Sequence, residues 1–390
     1  MTTNNSSNQS DIVIIGGGLA GLVNAIHLSK AGLKVLLIEK NEYPKHKVCG
    51  EYISNEVLSY LAYLGINPFD FGAVAIDRFE LSTVNGKVVH SNLPLGGFGI
   101  SRFTLDFRLY QKALENGCRI VQDTVESCSF GTNGFSTTTK KSGVFYSKFV
   151  IGSFGKRSNL DIKMNRPFTH QLAPYLGVKG HYRGDFPKDL IALHNFKGGY
   201  CGISSVEDDL INVCYLADFK TFKKYKNLAT FEEKVIRQNP HMETFLSQAV
   251  AVFEEPMTIS QVSFLSKARV ENHLLMSGDC AGMIHPLCGN GMSMAIHSAL
   301  LLSEILIAYY NGEIQSRAEV EQFYSQKWEK TFSKRLRSGK FFNAFFAQDL
   351  LFEWALAGLM YVPQILPHFI KKTHGQAIEM ESARTFITTK

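Results

Sequence analysis

Residues 11–28 read DIVIIGGGLAGLVNAIHL, and this stretch decides the fold. Asp11 to Ile15 is a short, β-branched apolar run of the kind that forms a buried parallel strand. Gly16, Gly18 and Gly21 follow with G-x-G-x-x-G spacing. Leu19 to Lys30 reads as a helix that ends near Gly32. Lys34 to Ile38 gives the next strand, with Glu39 at its tip. Strand, glycine turn, helix, strand and acid within about thirty residues make a dinucleotide-binding unit. The glycines let the backbone approach a pyrophosphate. The helix N-terminus supplies free N–H groups and positive dipole, and Glu39 can accept from ribose hydroxyls.

A second glycine cluster, GDCAGMIHPLCGNGMSMAI, spans Gly278 to Ile296. Its spacing does not fit another Rossmann turn. It reads as a strand (HLLMS), then Gly278-Asp279, then a loop through Pro286. Gly289, Asn290 and Gly291 open a helix over Met292 to Ala308. Asp279 can bind a polyol hydroxyl, and the helix N-terminus can face an electron-rich group. Two such loops suit one two-headed ligand, with adenosine diphosphate on the first and a flavin ring on the second.

The rest of the chain limits what surrounds these loops. Its 390 residues suffice for about two or three domains. A hydrophobic share of 45% and a charged share of 19% indicate a soluble globular protein. The net charge of +6 carries no long Lys/Arg run, which argues against nucleic acid and for anionic cofactors or membrane surfaces. Seven cysteines, an odd number without a CxxC pair, argue against a disulfide framework or a metal site and for a reducing cytoplasm. The polar start MTTNNSSNQS reads as a short disordered lead and not a signal peptide. Leu350 to Ile370 is apolar, but Glu353, Pro363 and Pro367 interrupt it, so a buried or interfacial helix is expected there.

Ser54 caps a helix stopped at Gly65, and Asn85-Gly86 marks a hairpin between strands over 76–100. Residues 170–262 are mostly strand-like, with a helix around Phe231 to Val250 broken at Pro240. After Gly312 the pattern is helical and aromatic.

The pair GGGLAG…E and GDCAGMIHPLCGNGM resembles the FAD-binding flavoproteins that include aromatic hydroxylases, flavin halogenases and geranylgeranyl reductases, over most of residues 10–312. The resemblance implies an α/β fold: a Rossmann-like FAD-binding domain of the para-hydroxybenzoate hydroxylase type, a mainly antiparallel β-sheet substrate domain and a helical C-terminal region. The FAD domain would comprise 10–75, 101–157 and 266–312, the substrate domain 76–100 and 158–265, and the C-terminal cap 313–390. FAD would be noncovalent. At the first loop the resemblance assigns Gly16, Gly18, Leu19, Ala20, Gly21, Glu39 and Lys40 to it. Arg102, in ISRFTLDFRL, helps hold it, and the backbone at Val125, in DTVES, meets adenine. Gly278 and Asp279 take the ribityl chain, while Pro286, Gly289, Asn290, Gly291 and Met292 meet the flavin. KHKVCGEYIS resembles the Cys-Gly-Glu loop of the geranylgeranyl reductase branch, which places Cys49 and Gly50 beside the flavin. Cys49 then either serves the chemistry or is a small buried residue. Glu51 is a candidate acid or substrate anchor.

The departures from the family are specific. VIGSFGKRS lacks the Asp-Gly pair of the hydroxylases, and no second Rossmann fingerprint occurs. NADH or NADPH would therefore bind transiently, or a partner reductase would supply electrons. YCGISS, from Tyr200 to Ser205, stands where the prenyl reductases carry Tyr-x-Trp-x-Phe-Pro. The two tryptophans, Trp328 and Trp354, lie far from any halogenase-like motif. His285 is either a proton donor near the ring or a satisfied loop residue. Tyr200 either lines the pocket or belongs to the core. KTFSKRLRSGKFFNAFF either packs over the pocket or makes peripheral contact with membrane lipid. The expectation is redox chemistry on a hydrophobic small molecule. Hydroxylation through a flavin hydroperoxide, on an aromatic, polyketide or lipid-like intermediate, leads. Reduction or dehydrogenation of a carbon–carbon bond is the alternative, and a flavin-binding protein without turnover is the third reading.

Overall fold

The computed structural model describes residues 8–380 except 133, 172–173, 263, 286–288, 347–353, 355–357 and 359–362. Two sheets organise the chain. In the first, Gln9–Ile15 lies parallel to Val35–Glu39 on one side and to Val144–Gly152 on the other. Arg119–Gln122 and Leu274–Met276 extend it in parallel, and Val125–Gly131 with Gly134–Thr139 adds an antiparallel flap. Ile12, Val13 and Ile14 are fully buried because both faces of this sheet are covered, which explains the unbroken apolar run.

The Leu19–Lys30 helix runs from the first strand as the glycine pattern predicts. The Gly291–Tyr310 helix packs along it. This second helix is long and apolar enough to cross a membrane by length and composition, but 72% of its apolar window is buried in the protein. A helix that is apolar all round suits such a core position.

The second sheet has nine strands and is antiparallel except where Leu190–Phe196 runs parallel to Val74–Ser82. Tyr52–Ser54 joins it through Val88–Gly99, although that segment falls within the 10–75 stretch assigned to the FAD domain. The chain thus enters the second sheet earlier than the sequence reading expects. One face packs on the helices Leu228–Lys234 and Pro240–Gln248 through Phe231, Met242 and Phe245. The helical stretch is interrupted just before Pro240, as expected, and Pro240 then starts the second helix. It occupies the first turn, and the Asn239 side chain accepts from the N–H groups of His241 and Met242.

The C-terminal region bridges both layers. Arg317–Phe346 buries Tyr324, Trp328 and Phe332 against the first domain. Leu366–Thr373 then lays Leu366 and Ile370 on the second sheet. Much of the Leu350 to Ile370 stretch lies outside the described residues.

Candidate functional site

At the first loop the backbone leaves no room for side chains. Gly16 has φ +102, and a Cβ there would stand 2.5 Å from the Ser153 carbonyl oxygen. A Cβ at Gly21 would stand 2.0 Å from the Gly16 carbonyl oxygen. Gly18 differs: a Cβ there would meet only the Arg102 guanidinium, at 3.8 Å. The open side of the turn therefore faces a cation and the first N–H groups of the helix, which lack intrahelical acceptors. Glu39 Oε2 accepts from the Gly17 N–H at 2.7 Å, and Oε1 accepts from Asn41. Lys40 is exposed beside it, and Val125 opens a strand just beyond Asp123, whose N–H donates to the Glu39 carbonyl. Tyr43, which the sequence reading missed, donates to the Gly17 carbonyl and stacks on Tyr110.

Asp279 lies across from this turn. Burial raises its pKa, against the opposing pull of Lys267, Arg102 and Lys156. Arg102 is itself paired with Asp106, which also binds Lys47. Lys156 donates to the Ser260 carbonyl, and burial lowers its pKa to about 8. The segment that lost the Asp-Gly pair thus brings a lysine to Asp279. Glycines that admit backbone approach, a helix N-terminus and several cations around one acid fit a two-headed anionic nucleotide such as FAD. Gly289, Asn290 and Met292 stand at the start of the Gly291–Tyr310 helix. Pro286, also assigned to the cofactor, lies outside the described residues.

The Cys-Gly-Glu loop lies on the second sheet and is bonded into it. Glu51 is fully buried in a left-handed conformation, φ 54. Its Oε1 accepts from Lys179 at 2.5 Å and from the Arg102 N–H at 2.7 Å, and its Oε2 meets His181 Nε2 at 2.7 Å. Burial alone would raise its pKa, but the His181 hydrogen bond and the Lys179 ammonium outweigh it and hold the group below the ordinary carboxylate range. Glu51 is therefore not the free acid or substrate anchor the sequence suggests. It is an ionised tether between the loop and the sheet. Asn212 and Ser204 donate to the carbonyls of Cys49 and Gly50. Cys49 is half-buried, and burial pushes its thiol pKa up, with Arg102 opposing. It is a thiol and not a thiolate at neutral pH. Cys49→Ala should retain FAD, read as flavin bound per chain, and lower turnover; unchanged turnover would reduce the cysteine to packing.

Lys179 and His181 were also missed in the sequence. The available signal was a lysine within the apolar strand YLGVKGHYR, at a position facing the same side as Tyr175 and His181. On that face the chemistry changes along the strands. Tyr175, Tyr200, Leu193 and Leu216 form an apolar end. Lys179 and His181, with their cross-strand partners Cys214 and Asn212, form a polar end under the Cys49 loop. Gly177 and Gly202 lie between, and a Cβ on Gly177 would touch Val48 of the loop. Strand glycines of this kind mark close approach by another group.

His285 brings the flavin loop to the apolar end. Its ring lies 4.5 Å from Phe264, 6.0 Å from Tyr175 and 6.1 Å from Tyr200. Burial lowers its pKa to about 4, so it is neutral near pH 7. Two residues about 85 positions apart in sequence, both singled out from it, are thus adjacent. Tyr200 also packs in the apolar cluster and is 7% exposed, the core position considered for it.

Residues 11–50 match the family described as FAD dependent oxidoreductase, and residues 204–353 match the family described as squalene epoxidase. Digeranylgeranylglycerophospholipid reductase of Methanococcus vannielii is 28% identical over 84% of this chain and 84% of its own length. Conditioned medium factor receptor 1 of Dictyostelium discoideum is 24% identical over 86% of this chain and 71% of its own. The solved structure of a flavin-dependent brominase shares the fold with TM-score 0.78 and 18% identity, covering 97% of both chains.

Proposed function

We propose that this chain, an FAD-dependent oxidoreductase with the para-hydroxybenzoate hydroxylase-type fold, reduces carbon–carbon double bonds in an isoprenoid or similarly hydrophobic chain. The observation that carries the reading is the graded face of the second sheet. Its apolar end, roofed by Leu366 and Ile370, suits a hydrocarbon, and its polar end is tied to the Cys49 loop. FAD held by the two glycine loops supplies two-electron redox chemistry. The chain's own residues orient the alkene, exclude water and hold protons: the Cys49 thiol and the neutral His285 are the groups at hand. The reductase relative supports this direction of chemistry.

Oxygenation of the same kind of alkene is the second reading, favoured by the squalene epoxidase match over residues 204–353. NADH or NADPH, or a partner reductase, would deliver electrons in either case. Exposed Ile365 and Phe369 beside Lys371 and Lys372 support peripheral contact with an anionic lipid surface.

One experiment separates the two reactions. With the flavin reduced by dithionite under anaerobic conditions, a prenyl lipid should be converted to a product two hydrogens heavier, read by mass spectrometry. Turnover only with oxygen, with a product one oxygen heavier, would replace reduction by oxygenation.

A further inference from the structure

Three cations converge on the loop that carries Asp279. Lys267 Nζ donates to the Asp279 carbonyl at 2.8 Å. Arg166 donates to the Cys280 carbonyl at 3.0 Å, and Arg269 donates to the Ala281 carbonyl at 3.1 Å. Three successive carbonyls are thus each met by a different charged side chain. The N–H groups of Ala281 and Gly282 both turn back to the Gly278 carbonyl. Gly278 has φ 64, and a Cβ there would stand 2.8 Å from Ala20 on the Leu19–Lys30 helix. The Asp279 loop is therefore pressed against the Rossmann helix, with little freedom left to its backbone.

The three cations are not equivalent. Arg166 is buried, pairs with Asp161 at 2.8 Å and also donates to the Ala268 carbonyl. Arg269 pairs with Glu329 at 2.8 Å and lies over the Trp328 ring at 3.8 Å. Each guanidinium has an acid of its own. Lys267 is buried too, but its bonds go to backbone: to the Asp279 carbonyl and, at 2.6 Å, to the Lys156 carbonyl. Its ammonium also lies over the Phe168 ring at 4.4 Å. Buried ammonium groups are costly unless a second group draws on their charge. Here that group is Asp279. Burial raises the Asp279 pKa, and Lys267 is the strongest of the cations that oppose it. Arg102, on the Arg102–Glu115 helix, and Lys156, in the 153–157 turn, pull the same way. The neighbouring Cys280 stays a neutral thiol, its pKa pushed up by burial to about 12.

We propose that Lys267 is a positioning residue for the cofactor: its ammonium ties the Asp279 loop to the 153–157 turn and presents Asp279 to the ribityl chain as a carboxylate. The proposal rests on the FAD reading. Arg102 is already paired with Asp106, and Lys156 donates to the Ser260 carbonyl. Lys267 is the cation bonded to the loop and to the turn at once. A carboxylate accepts hydroxyl donors on both oxygens, whereas a carboxylic acid spends one oxygen on its own proton. Lys267 acts through Asp279 and takes no part in the reaction itself.

The test uses the intact protein, stripped of flavin and titrated with FAD by fluorescence from mildly acid to neutral pH. Lys267→Met should weaken FAD at neutral pH by at least about tenfold, the scale of one lost hydrogen bond to a charged group. It should also move the pH at which affinity falls upward by about one unit or more, because an opposite charge beside Asp279 has gone. Lys267→Arg keeps the charge and should keep the wild-type pH profile. If Lys267→Met does not fold, Lys267→Gln, which keeps N–H donors without the charge, should show the same upward shift. Thermal melts of the flavin-free proteins record the cost to folding separately. A brace with no influence on Asp279 would weaken binding equally at every pH, and an unmoved profile in the uncharged variants overturns the proposal. A wild-type chain that takes up no FAD at any pH would overturn the FAD reading and this assignment together, and the first titration identifies that case.

Discussion

Lys179→Met should destabilise the protein by about 3–5 kcal/mol, the usual consequence of stranding one member of a buried ion pair. Lys179 and Glu51 are both fully buried, and their atoms lie 2.5 Å apart. Without the ammonium, Glu51 keeps only His181 and the Arg102 N–H. The double variant Lys179→Met/Glu51→Gln should recover most of the loss, because it removes both charges and not one. The pH dependence has a definite sign. The folded pKa of Glu51 lies below its unfolded value, so the native state binds fewer protons. Its contribution is fully present above the ordinary carboxylate range and is lost as pH falls through the lower folded value. The double variant should therefore lose less stability in acid than the wild type. Urea midpoints for the three proteins at neutral and acid pH measure all of this. A Lys179→Met midpoint equal to wild type would show that the pair does not hold the Cys49 loop on the sheet.

That pair also shows where sequence reasoning ends. The first Rossmann unit was legible almost to the residue: the helix begins at Leu19 and ends at Lys30, and Glu39 tips the second strand. Local rules suffice there, since glycine conformation, strand burial and helix capping are set by neighbours in the chain. The second loop was legible as strand, acid, glycines and helix for the same reason. The role of Glu51 was not. Its partners are 128 and 130 residues away, and only the register of the second sheet brings them to the loop. The return of Thr373, at the end of the Leu366–Thr373 helix, to Asn290 was invisible for a similar reason, because nothing near it in sequence signals the contact. The break at Pro240 was legible by a local rule, and the Asn239 side chain adds the cap that lets the proline start the next helix.

Gly21→Ala and Gly18→Ala should separate the fold of the first loop from its binding. At Gly21 the new methyl would sit 2.0 Å from the Gly16 carbonyl oxygen and 3.3 Å from the Ser153 side chain. Backbone must move, at a cost of about 1–3 kcal/mol or more for overpacking. Because that movement distorts the turn itself, Gly21→Ala should lower the melting temperature of the flavin-free protein and abolish FAD retention together. At Gly18 the backbone has φ −83, which alanine adopts freely, and the nearest atom would be 3.8 Å away. The flavin-free protein should lose less than about 1 kcal/mol, the scale of a changed N-cap residue. Yet the methyl would fill the space between the helix N-terminus and Arg102, where backbone approach to a pyrophosphate is needed. FAD should bind at least about tenfold more weakly, a difference of about 1.4 kcal/mol. Thermal melts without flavin and fluorescence titrations with it provide the two readouts. A Gly18→Ala protein that binds FAD as tightly as wild type would mean that the phosphates do not cross this face of the turn.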